Sequence, residues 1–77
     1  MGDFGSVDWK MLEKFVFGQG ATFKRMKGDH RMYVKPGLLR PLVVPQYDPI
    51  PPHIIMNNLR VLGVKKEDFL NFLDRNK

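Results

Sequence analysis

A chain of 77 residues has room for one domain with one hydrophobic core, and it is too short for a second domain or a deep enclosed cofactor pocket. It contains no cysteine, which excludes a disulfide framework, a cysteine-ligated zinc site and thiol catalysis, and which fits a reducing, cytoplasmic setting. The formal net charge of +5 favours a polyanionic partner, either a nucleic acid or an acidic protein surface. No apolar run approaches the roughly 18 residues of a membrane span, and no secretory signal is recognisable, so we expect neither export nor membrane insertion.

The chain begins with a predicted helix. Residues 1 to 6 carry two glycines and no periodicity, so we expect a loose end there. Between residues 7 and 17 apolar side chains recur at the spacing of an amphipathic helix, and Ser6 or Asp8 is placed to cap its first turn. Two glycines shortly after this segment predict its end.

Three short strands are predicted next. Residues 21 to 27 alternate between apolar and basic side chains, and the Gly28-Asp29 pair after them is a hairpin turn signal, with a second strand over residues 30 to 35. A third strand is expected over residues 38 to 44, where an internal proline confines it to a sheet edge or a bulge. The three strands together predict an antiparallel meander.

Two further helices are predicted at the end of the chain. Residues 45 to 52 contain four prolines, so we expect a stiff extended connection. Apolar residues at helical spacing predict helices over residues 53 to 62 and 65 to 74, and Gly63 ends the first. The order α-β-β-β-α-α predicts one α+β domain over residues 1 to 77, with a three-stranded antiparallel sheet and the helices on one face.

Two histidines are the candidates for proton transfer, because they alone titrate near neutrality without perturbation. The sequence has no Ser-His-Asp order, phosphate-binding glycine loop, dinucleotide fingerprint or metal-ligand spacing, so no metal and no cofactor are expected. His53 stands at a helix start and is interpreted as a surface or half-buried residue. His30 follows the hairpin turn, where a regular strand would place it on one face with Met32 and would place Tyr33 on the other.

The surroundings of His30 are strongly basic. A cationic hairpin of this kind suits the phosphates of RNA, although composition alone favours a structural histidine and a solvated basic face. The residues we interpret as RNA-binding are Lys24, Arg25, Lys27, Arg31 and Lys35.

An ordered set of short motifs resembles one family. A helix ends in glycine, a basic strand follows, and Gly-x-His precedes an aromatic residue; later come a strand ending in Val-Pro, an Asn-Leu-Arg-x-Leu-Gly-Val helix and a Glu-Asp-Phe-Leu helix. No single piece is specific, but the set covers residues 8 to 73 in order. The chain resembles the HicA toxins of prokaryotic toxin-antitoxin pairs. The resemblance lies in the order and spacing of Gly28, His30, Tyr33, Val44-Pro45, Leu59-Arg60 and Leu62-Gly63.

That resemblance implies a fold like a double-stranded-RNA-binding domain and a metal-independent endoribonuclease that degrades mRNA and is held inactive by a HicB antitoxin. It places the catalytic histidine at His30, and we expect Gly28, Asp29 and Tyr33 beside it to be supporting residues. Two positions depart from the family pattern. Asp29 replaces the usual serine, so its carboxylate either orients His30 or repels phosphate, and Lys65 stands where a serine or threonine would cap the last helix at a cost of about 1 kcal/mol.

We therefore expect His30 to act as general acid and base on RNA, with cations around it meeting the phosphate charge. Tyr33 either stacks on a base or lies in the core. Two other functions remain open at this stage. One is a non-catalytic RNA-binding module of the same fold. The other is a protein-interaction domain whose basic face docks an acidic partner.

Overall fold

The computed structural model describes residues 4 to 76. Its elements are α1 (Trp9–Gly18), β1 (Thr22–Lys27), β2 (His30–Val34), β3 (Leu42–Pro45), α2 (Pro52–Leu62) and α3 (Lys66–Arg75). The strands form a single antiparallel sheet in the order β1-β2-β3. The predicted α+β class and the element order are confirmed. Within residues 4 to 76, no helix has the length and apolar character that a bilayer crossing requires.

Helix α1 begins where the sequence offers a cap. Asp8 has an extended backbone, and its Oδ1 accepts a hydrogen bond of 2.9 Å from the backbone N–H of Met11, so Asp8 is the N-cap. The segment before it differs from the expected loose end, because Phe4 is buried and its ring meets the edge of Phe69 at 5.5 Å between centroids. Residues 1 to 3 of that predicted loose end lie outside the described part of the chain.

The hairpin between β1 and β2 has the predicted two-residue turn. Gly28 has a φ of 63°, and no non-glycine residue from 4 to 76 has a positive φ, so the turn depends on glycine at its first position. Lys27 and His30 face each other directly across the ladder. A register shift between Phe23 and Arg25 leaves Lys24 as an extra residue in β1.

The third strand is shorter than predicted and lies later in the chain. Residues 36 and 37 form a turn, across which the N–H of Leu38 donates to the carbonyl of Lys35 at 3.1 Å, and residues 39 and 40 form a bend. Leu39 is fully exposed, and Pro41 has no N–H to contribute to a ladder. Pairing with β2 therefore begins only at Leu42.

Helix α2 lies along β3 because of a buried amide. Asn58 is almost fully buried, and its Nδ2 donates to the carbonyls of Val43 and Ile54, both at 3.0 Å. The first of these bonds joins α2 to the edge strand of the sheet, and the second stays within the helix. Gly63 ends α2 in the left-handed conformation at φ 75°.

Helix α3 begins without a capping side chain at Lys65, as the sequence suggested. Its Asp68 partly compensates, since Oδ2 accepts a hydrogen bond of 3.0 Å from the N–H of Lys65. The hydrophobic core lies between the helices and one face of the sheet. Its fully buried side chains include Leu12, Val16, Tyr33, Leu42, Val44, Ile55, Leu59 and Phe69.

Candidate functional site

His30 is the first residue of β2, and neighbouring segments on both sides fix its backbone. It pairs with Lys27 of β1 on one side and with Pro45 of β3 on the other. The turn before it is held by the segment after β3, because the N–H of Gln46 donates to the carbonyl of Asp29 at 2.9 Å. The Tyr47 ring meets the imidazole edge at 6.2 Å between centroids. The backbone of His30 is thus set by all three strands of the sheet.

The imidazole of His30 is oriented by Asp29 and remains accessible. Its Nδ1 donates to Oδ1 of Asp29 at 2.7 Å, since an ionised carboxylate can only accept. That bond fixes the tautomer of a neutral imidazole, in which Nε2 carries the free lone pair. The His30 side chain is 44% exposed. Nε2 is therefore the atom of His30 that is available for chemistry.

His30 stands in an open groove of about 590 Å³ between the sheet and α2, which we call the His30 groove. Its floor and walls are formed by His30, Val43, Pro45, His53, Ile54, Met56, Asn57 and Arg60. A second depression of about 360 Å³ shares His30 and Val43 and extends over the sheet to Lys27 and Met32. The imidazole thus lies where two concave surfaces meet.

The basic residues predicted for RNA binding are divided between the two sheet faces. Residues directly opposite in an antiparallel ladder share a face, so Lys27 lies beside His30 and Arg25 lies beside Met32. Both of these cations are exposed, as is Lys24 at the register shift. Lys35 follows β2 and is half-buried.

Arg31 points to the opposite face of the sheet from His30. Its Nε donates to Oε2 of Glu13 at 2.8 Å and to the Tyr33 hydroxyl at 3.0 Å. The guanidinium also lies over the rings of Trp9 and Phe23, at 5.2 and 4.4 Å. Its hydrogen bond with Tyr33 is the largest cause that raises the pKa of Arg31, opposed in part by burial. Arg31 therefore joins α1 to the sheet.

Tyr33 lies in the core, which decides between the two positions that the sequence allowed. Its side chain is fully buried, and its hydroxyl donates to Oε2 of Glu13 at 2.6 Å. Burial raises the pKa of the Tyr33 phenol, and the bond to Glu13 raises it further. A ring buried in this position packs in the hydrophobic core and cannot stack on a base.

A separate cavity of about 340 Å³, away from His30, lies between the N-terminal segment and α3. Its charged side chains are Asp8 and Asp48. Carboxylates repel the phosphates of a polyanion, so this cavity does not suit a nucleic acid. The His30 groove, with its imidazoles and its guanidinium, has the opposite character.

The chain matches no protein-family model, and no curated protein is significantly similar to it.

Two groove residues were missed as functional candidates by the sequence analysis. His53 was interpreted as a surface or half-buried helix residue, and Arg60 was noted only as part of a motif. The structure brings both into the groove that holds His30. The available signal was their helical spacing, since positions 53, 57 and 60 follow the i, i+4, i+7 pattern of one helix face. The sequence did not indicate that this face of α2 borders β2, the strand that begins with His30.

Proposed function

We propose that this protein is an endoribonuclease that cleaves mRNA, with His30 as its general acid and base. One observation carries the proposal: the half-exposed His30 imidazole bonds Asp29 through Nδ1 and lines two concave surfaces, one shared with Arg60 and the other with Lys27. The resemblance to HicA toxins supports the same assignment, and it adds the expectation that the enzyme is the toxin of a toxin-antitoxin pair.

The reaction is transesterification at an RNA phosphate. Nε2 of His30 removes the proton of a 2′-hydroxyl, and that oxygen attacks the adjacent phosphorus. The bond from phosphorus to the 5′-oxygen breaks, and the leaving oxygen takes up a proton. The products are a 2′,3′-cyclic phosphate and a 5′-hydroxyl end. DNA lacks the attacking hydroxyl and is not a substrate.

Phosphate charge is met by the cations on the His30 side of the sheet. Lys27 is the direct ladder neighbour of His30, Arg25 shares that face two residues earlier in β1, and Lys24 precedes Arg25 at the register shift. These exposed side chains have no ion-pair partner among residues 4 to 76, so binding phosphate costs them no existing salt bridge. Arg31 is not one of these phosphate-binding cations, because it forms an ion pair with Glu13 that supports the fold.

A non-catalytic RNA-binding module is the second candidate function. The α-β-β-β-α-α order and the exposed cations of β1 support it, since double-stranded RNA is bound through phosphates and 2′-hydroxyls. It makes a different prediction for His30, whose replacement would lower affinity slightly and change no covalent bond. Its signature is salt-sensitive binding with intact RNA recovered afterwards.

Induced expression in a bacterial host separates the two functions. Wild type is compared with His30→Ala and with Asn71→Ala, an exposed α3 position outside the groove that serves as the control. We expect growth arrest and loss of bulk mRNA with wild type and Asn71→Ala, and normal growth with His30→Ala. Equal arrest by all three variants would contradict a catalytic His30.

The partner that we propose for the toxin is a small HicB-like antitoxin. The net charge of +5 favours an acidic inhibitor over a basic one. Co-expression of the adjacent open reading frame should restore growth and co-purify with this protein. If it does neither, the toxin-antitoxin assignment fails while the nuclease assignment stands on the His30 test.

A further inference from the structure

A second imidazole borders the same groove as His30. His53 lies in the first turn of α2, and His30 lies at the start of β2 on the other side of the groove. The chain has only these two histidines, and the fold brings both to one concave surface although they are 23 positions apart in sequence.

The groove face of α2 carries a polar row that the fold does not use. His53, Asn57 and Arg60 follow one another at i, i+4 and i+7, whereas Ile55 and Leu59 are buried in the core. None of the three polar side chains has a hydrogen-bond or ion-pair partner within residues 4 to 76. An exposed helix face is ordinarily just solvated, but this one borders His30. Its imidazole, amide and guanidinium are groups that bind phosphate esters and transfer protons to them.

We propose that His53 is a second catalytic residue, which donates the proton to the leaving 5′-oxygen, and that Arg60 binds the scissile phosphate. This inference rests on the proposed nuclease function and divides its two proton transfers between two imidazoles, so that His30 acts as the base and His53 as the acid. Two proton transfers accompany each cleavage: one proton leaves the 2′-hydroxyl for Nε2 of His30, and one passes from the His53 imidazolium to the 5′-oxygen as the bond from phosphorus breaks. Hydrolysis of the cyclic phosphate is not required to balance the step.

Other charged and titratable groups face this pair and shape its pH dependence. The turn contributes Asp29, which bonds His30, and β1 contributes Lys27. The segment after β3 contributes Tyr47 beside the His30 ring, and α2 itself contributes Arg60. The groove residues of β3, Val43 and Pro45, carry no charge.

Kinetics with two substrates test the role of His53. On an RNA oligonucleotide, His53→Ala should lower kcat by about 100-fold, the usual scale for one lost acid, with KM changed less than about 3-fold. On uridine 3′-(4-nitrophenyl phosphate), whose leaving group needs no proton, the same variant should stay within about 3-fold of wild type, while His30→Ala loses activity on both substrates. Arg60→Ala should raise KM for the oligonucleotide. Asn71→Ala is the control variant.

The pH profile gives a second readout that a structural role would not produce. Wild type should show a bell-shaped dependence of kcat, and His53→Ala should lose the fall on the alkaline side, where the acid is deprotonated. Circular dichroism should show the same melting curve for wild type and His53→Ala, since His53 is exposed in the first turn of α2.

Three results would overturn the inference, and they are distinguishable. Wild-type kcat for His53→Ala on the oligonucleotide would exclude His53 while leaving the proposed function intact. An equal loss on both substrates would assign His53 to binding and not to proton donation. Absence of RNA cleavage by the wild-type protein itself would remove the proposed function and this inference together.

Discussion

At the scale of single residues, one face of β2 carries the proposed catalytic residue and the other face supports the fold. His30 and Met32 face the groove side, whereas Arg31 and Tyr33 face α1 and share Glu13 as an acceptor. The alternation of a strand predicted this division, but not the identity of the acceptor. Glu13 comes from a helix 18 positions before Arg31, and such a long-range pair leaves no local signal in the sequence.

Loss of Arg31 should therefore lower the stability of the fold more than it lowers the binding of RNA. Arg31→Ala leaves the largely buried Glu13 carboxylate with only the Tyr33 hydroxyl, and we expect the free energy of unfolding to fall by about 1 to 3 kcal/mol. Urea denaturation measures this change. Arg75→Ala, which removes an exposed cation from α3, should stay within about 0.5 kcal/mol of wild type. Unchanged stability of Arg31→Ala would argue against the structural role.

Tyr33 should make the protein sensitive to alkali. Its pKa in the folded state is raised above the ordinary value of 10.0, so its stabilising contribution is complete below pH 10 and is lost as the pH rises beyond it. In Tyr47→Phe, which leaves Tyr33 as the one tyrosine, phenolate absorbance should appear only as circular dichroism reports unfolding. Phenolate formation near pH 10 in a folded protein would contradict the buried hydrogen bond to Glu13.

At the scale of elements, helix ends and turns were the parts that the sequence predicted well. Asp8 caps α1, and the turn at Gly28 opens β2, because these residue types have specific local hydrogen bonds or backbone angles. The start of β3 was predicted four residues early. Its position depends on pairing with β2 and on where the edge of α2 meets it through Asn58, and neither is encoded locally.

The start of α3 offers a stabilising substitution. Lys65 occupies the N-cap without a capping hydrogen bond, while Asp68 already accepts from its N–H. Lys65→Ser should complete the reciprocal pair and raise the free energy of unfolding by about 1 kcal/mol. Thermal and urea unfolding report the gain. The matched variant Lys65→Ala should provide none of it, so equal stabilisation by both variants would show that removing the charge, and not capping, is responsible.

At the scale of the whole molecule, exposed cations and concave surfaces occur together around His30. The sequence predicted a basic partner-binding domain with His30 as its candidate catalytic residue, but it could not show that α2 forms the other side of the groove. That arrangement arises from packing between β2 and α2, which are not consecutive in the chain, and it is why His53 and Arg60 were not recognised as candidates.

Binding of RNA should depend on the cations beside His30 and not on the overall charge. Lys27→Ala should weaken binding of a single-stranded oligonucleotide and reduce the slope of log affinity against log salt by about 0.7, the value for one lost phosphate contact. Arg75→Ala removes the same charge from α3, whose main contacts are with α1 and α2, and should leave the slope unchanged. Fluorescence anisotropy between about 50 and 200 mM salt measures both slopes. Equal slopes for the two variants would contradict a localised binding surface.

We propose that His30 catalyses RNA cleavage. The most direct test is the rate at which purified protein cleaves RNA in the presence of a chelator. Wild type should convert RNA into fragments ending in a 2′,3′-cyclic phosphate, and His30→Ala should be slower by about 100-fold to 10,000-fold at unchanged circular dichroism. Cleavage by His30→Ala at the wild-type rate would contradict the account.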